Sequence, residues 1–211
     1  LGLAAPADHP FWTADEERGS VSSREVIAEQ ARRSDAVLVL EPSGPGGALK
    51  TSRKGCGEYE LVVEGRSAHA GVDPAKGASA VHELARQIVA LEALQDLERG
   101  ISVNVGVIGG GTQPNVVAEQ ARAIIDVRAP TLADASRVDE VFRTLRARAD
   151  GVSIHIRGGF ERPPLERSAA VARLYELARA VAADLGRELG EGSTGGGSDG
   201  NFTAALGIPT L

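Results

Sequence analysis

The chain has 211 residues, of which 42% are hydrophobic and 25% charged, with a formal net charge of −6. That is the balance of a soluble globular protein with one large core or two small ones. The acidic excess and dispersed bases argue against nucleic acid and anionic membrane as partners, no apolar run approaches the roughly 20 residues of a membrane span, and the single Cys56 excludes an internal disulfide. The N-terminal LGLAAPADHP lacks a charged stretch followed by an apolar one, so no signal peptide is predicted. With no Met anywhere, the chain is expected to be a fragment or a processed product, truncated at both ends, and cytoplasmic, with periplasm or secretion left open.

Residues 1–12 carry Pro6 and Pro10 and are expected to be irregular. The acidic octapeptide Thr13–Ser20 follows, and by itself its Asp15-Glu16-Glu17 reads as a solvated first helical turn, where acids favour the positive end of the macrodipole. Ser22 or Ser23 then caps a predicted helix to about Arg33, with Val26, Ile27 and Ala31 on its apolar face. The continuous run AVLVL, residues 36–40, predicts a strand buried on both faces, and Glu41 ends it. A carboxylate there lies where open α/β sheets place their ligands, outside the carboxyl ends of the strands.

The pattern changes after Lys54-Gly55. An alternating strand, YELVVEGRS, stops at Ala68-His69-Ala70-Gly71, and an amphipathic helix is predicted over 73–98, with Ala78, Val81, Leu84, Ala85, Ile88, Leu91 and Leu94 on one face. Strands over 101–108 and 117–129 flank the turn-rich GGGTQPN; a helix follows Thr131, with Thr131 and Asp134 arranged as a capping box, and a strand over 152–157 closes the set. The order β-α-β-β-α-β is that of a split-βαβ, ferredoxin-like domain. After Pro163-Pro164 a helix over 168–185 returns, with Val171, Leu174, Leu177, Val181 and Leu185 on one face, followed by the glycine-rich loop 192–202. The expected architecture is therefore α/β with an inserted α+β lid: residues 1–52 and 164–211 form a partial catalytic domain and 53–163 the insert.

The glycine-rich loop lacks the Lys-Ser/Thr pair and the G-x-G-x-x-G spacing of phosphate cradles, so that reading fails. His9, His82 and His155 match no site motif and read as ordinary surface or core histidines. A lone turn histidine such as His69 is by itself a solvated side chain, and Arg128 an exposed strand position.

Seven segments, TADEERGS, LEPSG, GRSAHAGVDPAKGASAV, GGGTQPNVV, IDVRAP, FERPP and GGGSDGNF, occur in the order and approximate spacing of the aminoacylase and glutamate carboxypeptidase family of di-zinc metallopeptidases. That family also holds acetylornithine deacetylases and succinyl-diaminopimelate desuccinylases, and the chain most resembles the glutamate carboxypeptidase branch. The resemblance implies that Glu16 is the general base and acid and that Glu17 and Glu41 each ligate one zinc. It implies that the insert is a lid through which a homodimer forms, with His69 stabilising the tetrahedral oxyanion, commonly in the partner's site. Asn115, Arg128 and Arg162 would hold the carboxylate of a small amino-acid or peptide substrate, and Gly196 and Gly197 would let the backbone approach it. The implied reaction is hydrolysis of an amide next to a free carboxylate. The alternatives are an N-acyl amino acid deacetylase or desuccinylase, and a non-catalytic relative serving as a dimerising binding module.

The chain departs from the family pattern in its ligands. No histidine is followed two places on by Asp, and the bridging Asp and C-terminal metal-binding His have no counterpart, so the chain is expected to hold an incomplete zinc site and to be catalytically silent.

Overall fold

A computed structural model describes residues 9–211. Chain order runs α1 (Arg24–Arg32), β1 (Leu49–Arg53), β2 (Gly55–Glu64), α2 (Ala80–Glu92), β3 (Ser102–Gly110), β4 (Gln120–Ala129), α3 (Leu132–Thr144), β5 (Ser153–Arg162), α4 (Ala169–Asp184), β6 (Glu191–Thr194) and α5 (Gly200–Ala205). The irregular start expected over 1–12 holds from His9 onward; residues 1–8, with most of the stretch read for a signal peptide, lie outside the described residues.

The insert is the split-βαβ domain expected, an antiparallel sheet in the order β3-β4-β2-β5 with α2 and α3 on one face. Strict alternation sets that face. Tyr59, Leu61 and Val63 of β2 and Ala123, Ile125 and Val127 of β4 are buried against Leu84 and Leu91 of α2 and Val138 and Phe142 of α3. The opposite face stays polar: Glu60 pairs with Arg122 (3.9 Å) and Arg157 (3.6 Å), and His155 approaches Glu64 (3.5 Å). Thr131 caps α3, its hydroxyl accepting from the Asp134 amide (3.1 Å) and donating to the Asp134 carboxylate (2.7 Å).

The insert's two linkers run side by side, as an inserted domain requires. Arg53 and Leu165 exchange backbone hydrogen bonds of 2.9 and 3.0 Å, and the buried Asn201 side chain donates to the carbonyls of both Lys54 (3.2 Å) and Pro163 (2.7 Å). A Cβ at Gly55 would sit 2.7 Å from the Pro164 ring, so the crossing needs glycine.

Three expectations are corrected. AVLVL is no buried strand: Val37 makes one parallel bridge to Thr210, while Leu38 and Leu40 are 65% and 90% exposed. Only 209–211 pairs with it among the described residues, and a strand covered on one edge cannot bury both faces. The helix over 73–98 is shorter, because Pro74–Lys76 form a 3-10 turn that the extended Gly77 ends, and α2 starts after Ser79, whose hydroxyl accepts from the His82 amide. Its buried stripe is also rotated: Glu83 and Gln87 face inward while Val81 and Ala85 are exposed, since Glu83 accepts from the Arg148 and Ala149 amides. In α4, Val171 and Tyr175 are buried against Leu211, but Leu177, Val181 and Leu185 are exposed and have nothing to pack on among the described residues.

The short parallel pair β1–β6 and helix α5 were not anticipated, since LKTSR and EGST carry no apolar period. No helix among the described residues is long and apolar enough to cross a membrane.

Candidate active site

A cleft of about 490 Å³ opens at the joint between the insert and the flanking segments, lined by Glu16, Glu17, Arg128 and Arg162 among others. The acidic octapeptide folds as a 3-10 turn, Glu16–Arg18, closed by Gly19 (φ 83°) and Ser20 (φ 55°), both left-handed. That conformation is strained for a serine, and contacts on every side hold it. Asp15 anchors the turn by accepting from the Ser22 amide (2.8 Å), the Ser22 hydroxyl (2.6 Å) and the Ser23 amide (3.2 Å). Hydrogen bonds from Ser22 and then Ser23 hold its carboxyl well below the usual aspartate range.

From the other end of the chain, Asp199 accepts from the Thr13 hydroxyl (2.9 Å) and from the Ser20 hydroxyl. Arg162, the last residue of β5, reaches the same turn: its Nη2 donates to the Glu16 carbonyl (2.7 Å) and the Ser20 hydroxyl (3.0 Å), and lies 3.0 Å from the Glu16 carboxylate. Burial pushes the Glu16 carboxyl above the usual glutamate range; Arg162 opposes this, and the charges of Asp199, Glu41 and Glu17 add to it. A carboxyl shifted in that direction is better able to hold a proton than an exposed glutamate.

Arg128 lies across the cleft on β4. Its Nε and Nη2 bind Asp126 side-on (2.9 and 2.6 Å) and its Nη1 donates to the Cys56 thiol. The sheet register explains the trio, since Cys56 is directly opposite Arg128 and Asp126 is two residues away on the same face. Gly197 covers Cys56 so closely that a Cβ would come 2.7 Å from its sulfur, whereas Gly196 has open space around it. Both glycine carbonyls face Nη1 of the buried Arg53 (3.4 and 3.5 Å), whose Nη2 donates to Glu41 (2.6 Å).

The structure thus brings Glu16, Glu17, Arg128, Arg162 and Gly197 together at one cleft. It does not bring His69 or Asn115 there. Eight residue steps along β2 separate Cys56, in the cleft, from Glu64, which leads to His69, or roughly 26 Å. His69 and Asn115 instead stand together, exposed, at the far end of the insert, where the Ala70 amide donates to the Asn115 carbonyl (2.9 Å). His69 Nδ1 accepts from the amides of Gly71 (3.2 Å) and Val72 (3.1 Å), so the proton of the neutral ring lies on Nε2, pointing a donor outward.

Zinc does not fit the donors present. Glu41 is engaged by Arg53 and lies 3.8 Å from Lys50, Glu17 stands exposed on its turn, and no three His, Cys, Asp or Glu side chains among the described residues converge on a point that could hold a metal ion. Three residues that build the site, Thr13, Ser20 and Asp199, were not among the expected site residues. Their signal was the pair of hydroxyls bracketing the acidic turn, without any hint of the distant partner.

A split-βαβ domain inserted beside a carboxylate turn, with arginines lining the same cleft, is an α/β architecture with an inserted α+β domain. Residues 51–153 match the model of the peptidase dimerisation domain. The chain is 28% identical to carboxypeptidase G2 of Pseudomonas sp. strain RS-16 over 95% of its own length and 49% of that protein's. It is also 31% identical to acetylornithine deacetylase of Myxococcus xanthus over 64% of its length and 37% of that enzyme's. The crystal structure of aminopeptidase PepT from Bacillus cereus superposes with a TM-score of 0.76 at 25% identity, covering 94% of this chain and 53% of that one. The chain is thus similar to carboxypeptidase and deacetylase hydrolases that share the peptidase dimerisation domain, and it spans about half the length of the curated relatives it matches.

Proposed function

We propose that the chain carries the proton-transfer and substrate-carboxylate part of a glutamate carboxypeptidase-like hydrolase, which cleaves an amide next to a free carboxylate. The observation that supports this most directly is the placement of Glu16, with its raised carboxyl, in one cleft with Arg128 and in contact with Arg162. In this reading Glu16 takes a proton from the attacking water and delivers it to the leaving amine. The end-on side of the Arg128 guanidinium, left over by Asp126, orients the carboxylate, and Gly197 lets the backbone close over it. Residues 53–163 act as the lid. Any zinc requires donors beyond Glu17 and Glu41, so chelator-washed chain is expected to hold well under one zinc per molecule by elemental analysis; a stoichiometric content would overturn this. The hydrolase reading is tested by following amino-acid release from N-acyl glutamates and from N-acyl ornithine or diaminopimelate. Glutamate release that is lost in Glu16→Gln supports it, and preference for the other acyl substrates favours a deacetylase or desuccinylase. The incomplete donor set favours one further reading, a dimerising binding module, which binding without turnover would support.

The separation of His69 and Asn115 from the cleft supports a second copy of the chain as their destination, where the Nε2–H of His69 would meet a developing oxyanion. We propose β3 as the pairing edge. It carries no charge over Ser102–Gly110 and exposes Val107 and Ile108, whereas β5 is guarded by His155 and Arg157. Light scattering is expected to give a dimer for the chain and a monomer for the Val107→Lys, Ile108→Lys pair. A wild-type monomer at every concentration would remove the contribution in trans.

A further inference from the structure

We propose that Arg162 is a latch for which the acidic turn and an incoming carboxylate compete: here it holds Glu16, and a substrate carboxylate that takes its guanidinium sets Glu16 free. The inference rests on the hydrolase reading and goes beyond it, because it makes availability of the proton-transfer group conditional on the substrate's own charge.

The geometry of one nitrogen carries it. Nη2 of Arg162 has two hydrogens and four oxygen neighbours: the Glu16 carbonyl at 2.7 Å, the Ser20 hydroxyl at 3.0 Å, the Glu16 carboxylate at 3.0 Å and the Asp199 carboxylate at 3.6 Å. The carbonyl and the hydroxyl meet hydrogen-bond geometry, so both hydrogens are committed and the Glu16 carboxylate is held by charge alone. Nη1, by contrast, donates to nothing among the described residues, Nε is buried without a partner, and the side chain lines the cleft. An end-on carboxylate uses Nη1 and Nη2 together. It takes one Nη2 hydrogen from the Glu16 carbonyl or the Ser20 hydroxyl and brings a second negative group beside the Glu16 carboxylate, which, held by charge alone, is pushed off.

The latch also spans the joint. Arg162 ends a strand of the insert, Glu16 and Asp199 belong to the flanking segments, and Phe202 of α5 supports the guanidinium with its ring centroid 5.5 Å from Cζ. Arg128 lacks this character, because its side-on fork is filled by Asp126 of its own strand.

Calorimetric titration of the 211-residue chain with L-glutamate tests the proposal without metal or turnover. Glu16→Gln keeps the turn and removes the internal competitor, so glutamate is expected to bind about tenfold tighter than to wild type, the worth of one charge-assisted contact. Arg162→Met is expected to lose binding and Arg162→Lys to restore part of it, with thermal melts reporting whether each is folded; should Arg162→Met not fold, Glu16→Gln decides alone. Glu161→Gln removes one negative charge from the same cleft without touching Arg162 and is expected to leave affinity within twofold. An equal gain in Glu161→Gln, or no gain in Glu16→Gln while wild type binds measurably, overturns the latch and leaves the carboxylate-substrate reading standing. Failure of both wild type and Glu16→Gln to bind glutamate overturns the two together.

Discussion

Glu83→Ala is expected to destabilise the insert by about 3–5 kcal/mol, the usual cost of removing one partner from a buried charged network. Glu83 is fully buried on α2 and accepts from the Gln87 side chain (2.7 Å) and from the amides of Arg148 (2.9 Å) and Ala149 (3.1 Å), with Arg86 at 3.4 Å. Alanine leaves the Arg148 and Ala149 amides without an acceptor, costs the Gln87 side chain one of its two, and removes the tether of the loop that follows α3. Burial alone pushes the Glu83 carboxyl up, but the bonds from Gln87, Arg148, Ala149 and Arg86 outweigh it and hold the group below the usual glutamate range. A carboxyl depressed in the folded state stabilises fully above its unfolded pKa, and that stabilisation is lost as pH falls through the folded value. The insert should therefore lose stability below about pH 4.3, and Glu83→Gln should flatten the loss. Urea unfolding followed by circular dichroism between pH 3 and 7 reads both effects; a loss under ~1 kcal/mol in Glu83→Ala would show that water or the chain replaces the carboxylate.

Phe142→Ala is expected to cost about 3–5 kcal/mol and to lower the melting temperature by roughly 10 °C or more. The Phe142 and Tyr59 rings stack at 4.0 Å and 11°, Phe160 meets Tyr59 edge-on at 6.4 Å, and both stacked side chains are fully buried. The Tyr59 hydroxyl donates to Asp139 (2.8 Å), which also pairs with Arg143 (2.6 Å), and a Cβ at Gly159 would lie 3.3 Å from that arginine. Gly158 and Gly159, with φ of 93° and 152°, pair with Tyr59 and Glu58 just before the register shift around Glu161 that leads to Arg162. Loosening the Tyr59–Phe142 stack is therefore expected to weaken glutamate binding as well as stability, while Phe142→Leu, which keeps most of the apolar area, costs less on both counts. Unchanged glutamate affinity in a destabilised Phe142→Ala would separate the core from the cleft.

Much of the insert was legible before any coordinates. The alternation of Tyr59, Leu61 and Val63, the Thr131–Asp134 cap and the order of strands and helices are local signals, and the sheet follows them. Glu83 and Gln87 mark where local pattern misled: apolar period alone placed Val81 and Ala85 inward, but a loop some 60 residues away supplied amides that only polar side chains satisfy. AVLVL misled for the complementary reason, since a hydrophobic run specifies burial only where something covers it, and Leu38 and Leu40 are uncovered among the described residues.

The cleft divides the same way. The family resemblance singled out Glu16, Glu17, Glu41, Arg128 and Arg162, whereas residue type by itself read the acidic turn as a helix cap and Arg128 as an exposed strand position. Only the tertiary structure decided that Glu41 is engaged by Arg53, that Arg128 is occupied by Asp126, and that Arg162 crosses 146 residues of chain to grip Glu16. It also decided that His69 and Asn115 face away from the cleft of their own chain. Periodicity and capping act within a few residues and are written in order along the chain. Charge pairing acts through space, and its partners are set by which strand ends the inserted sheet brings to the joint.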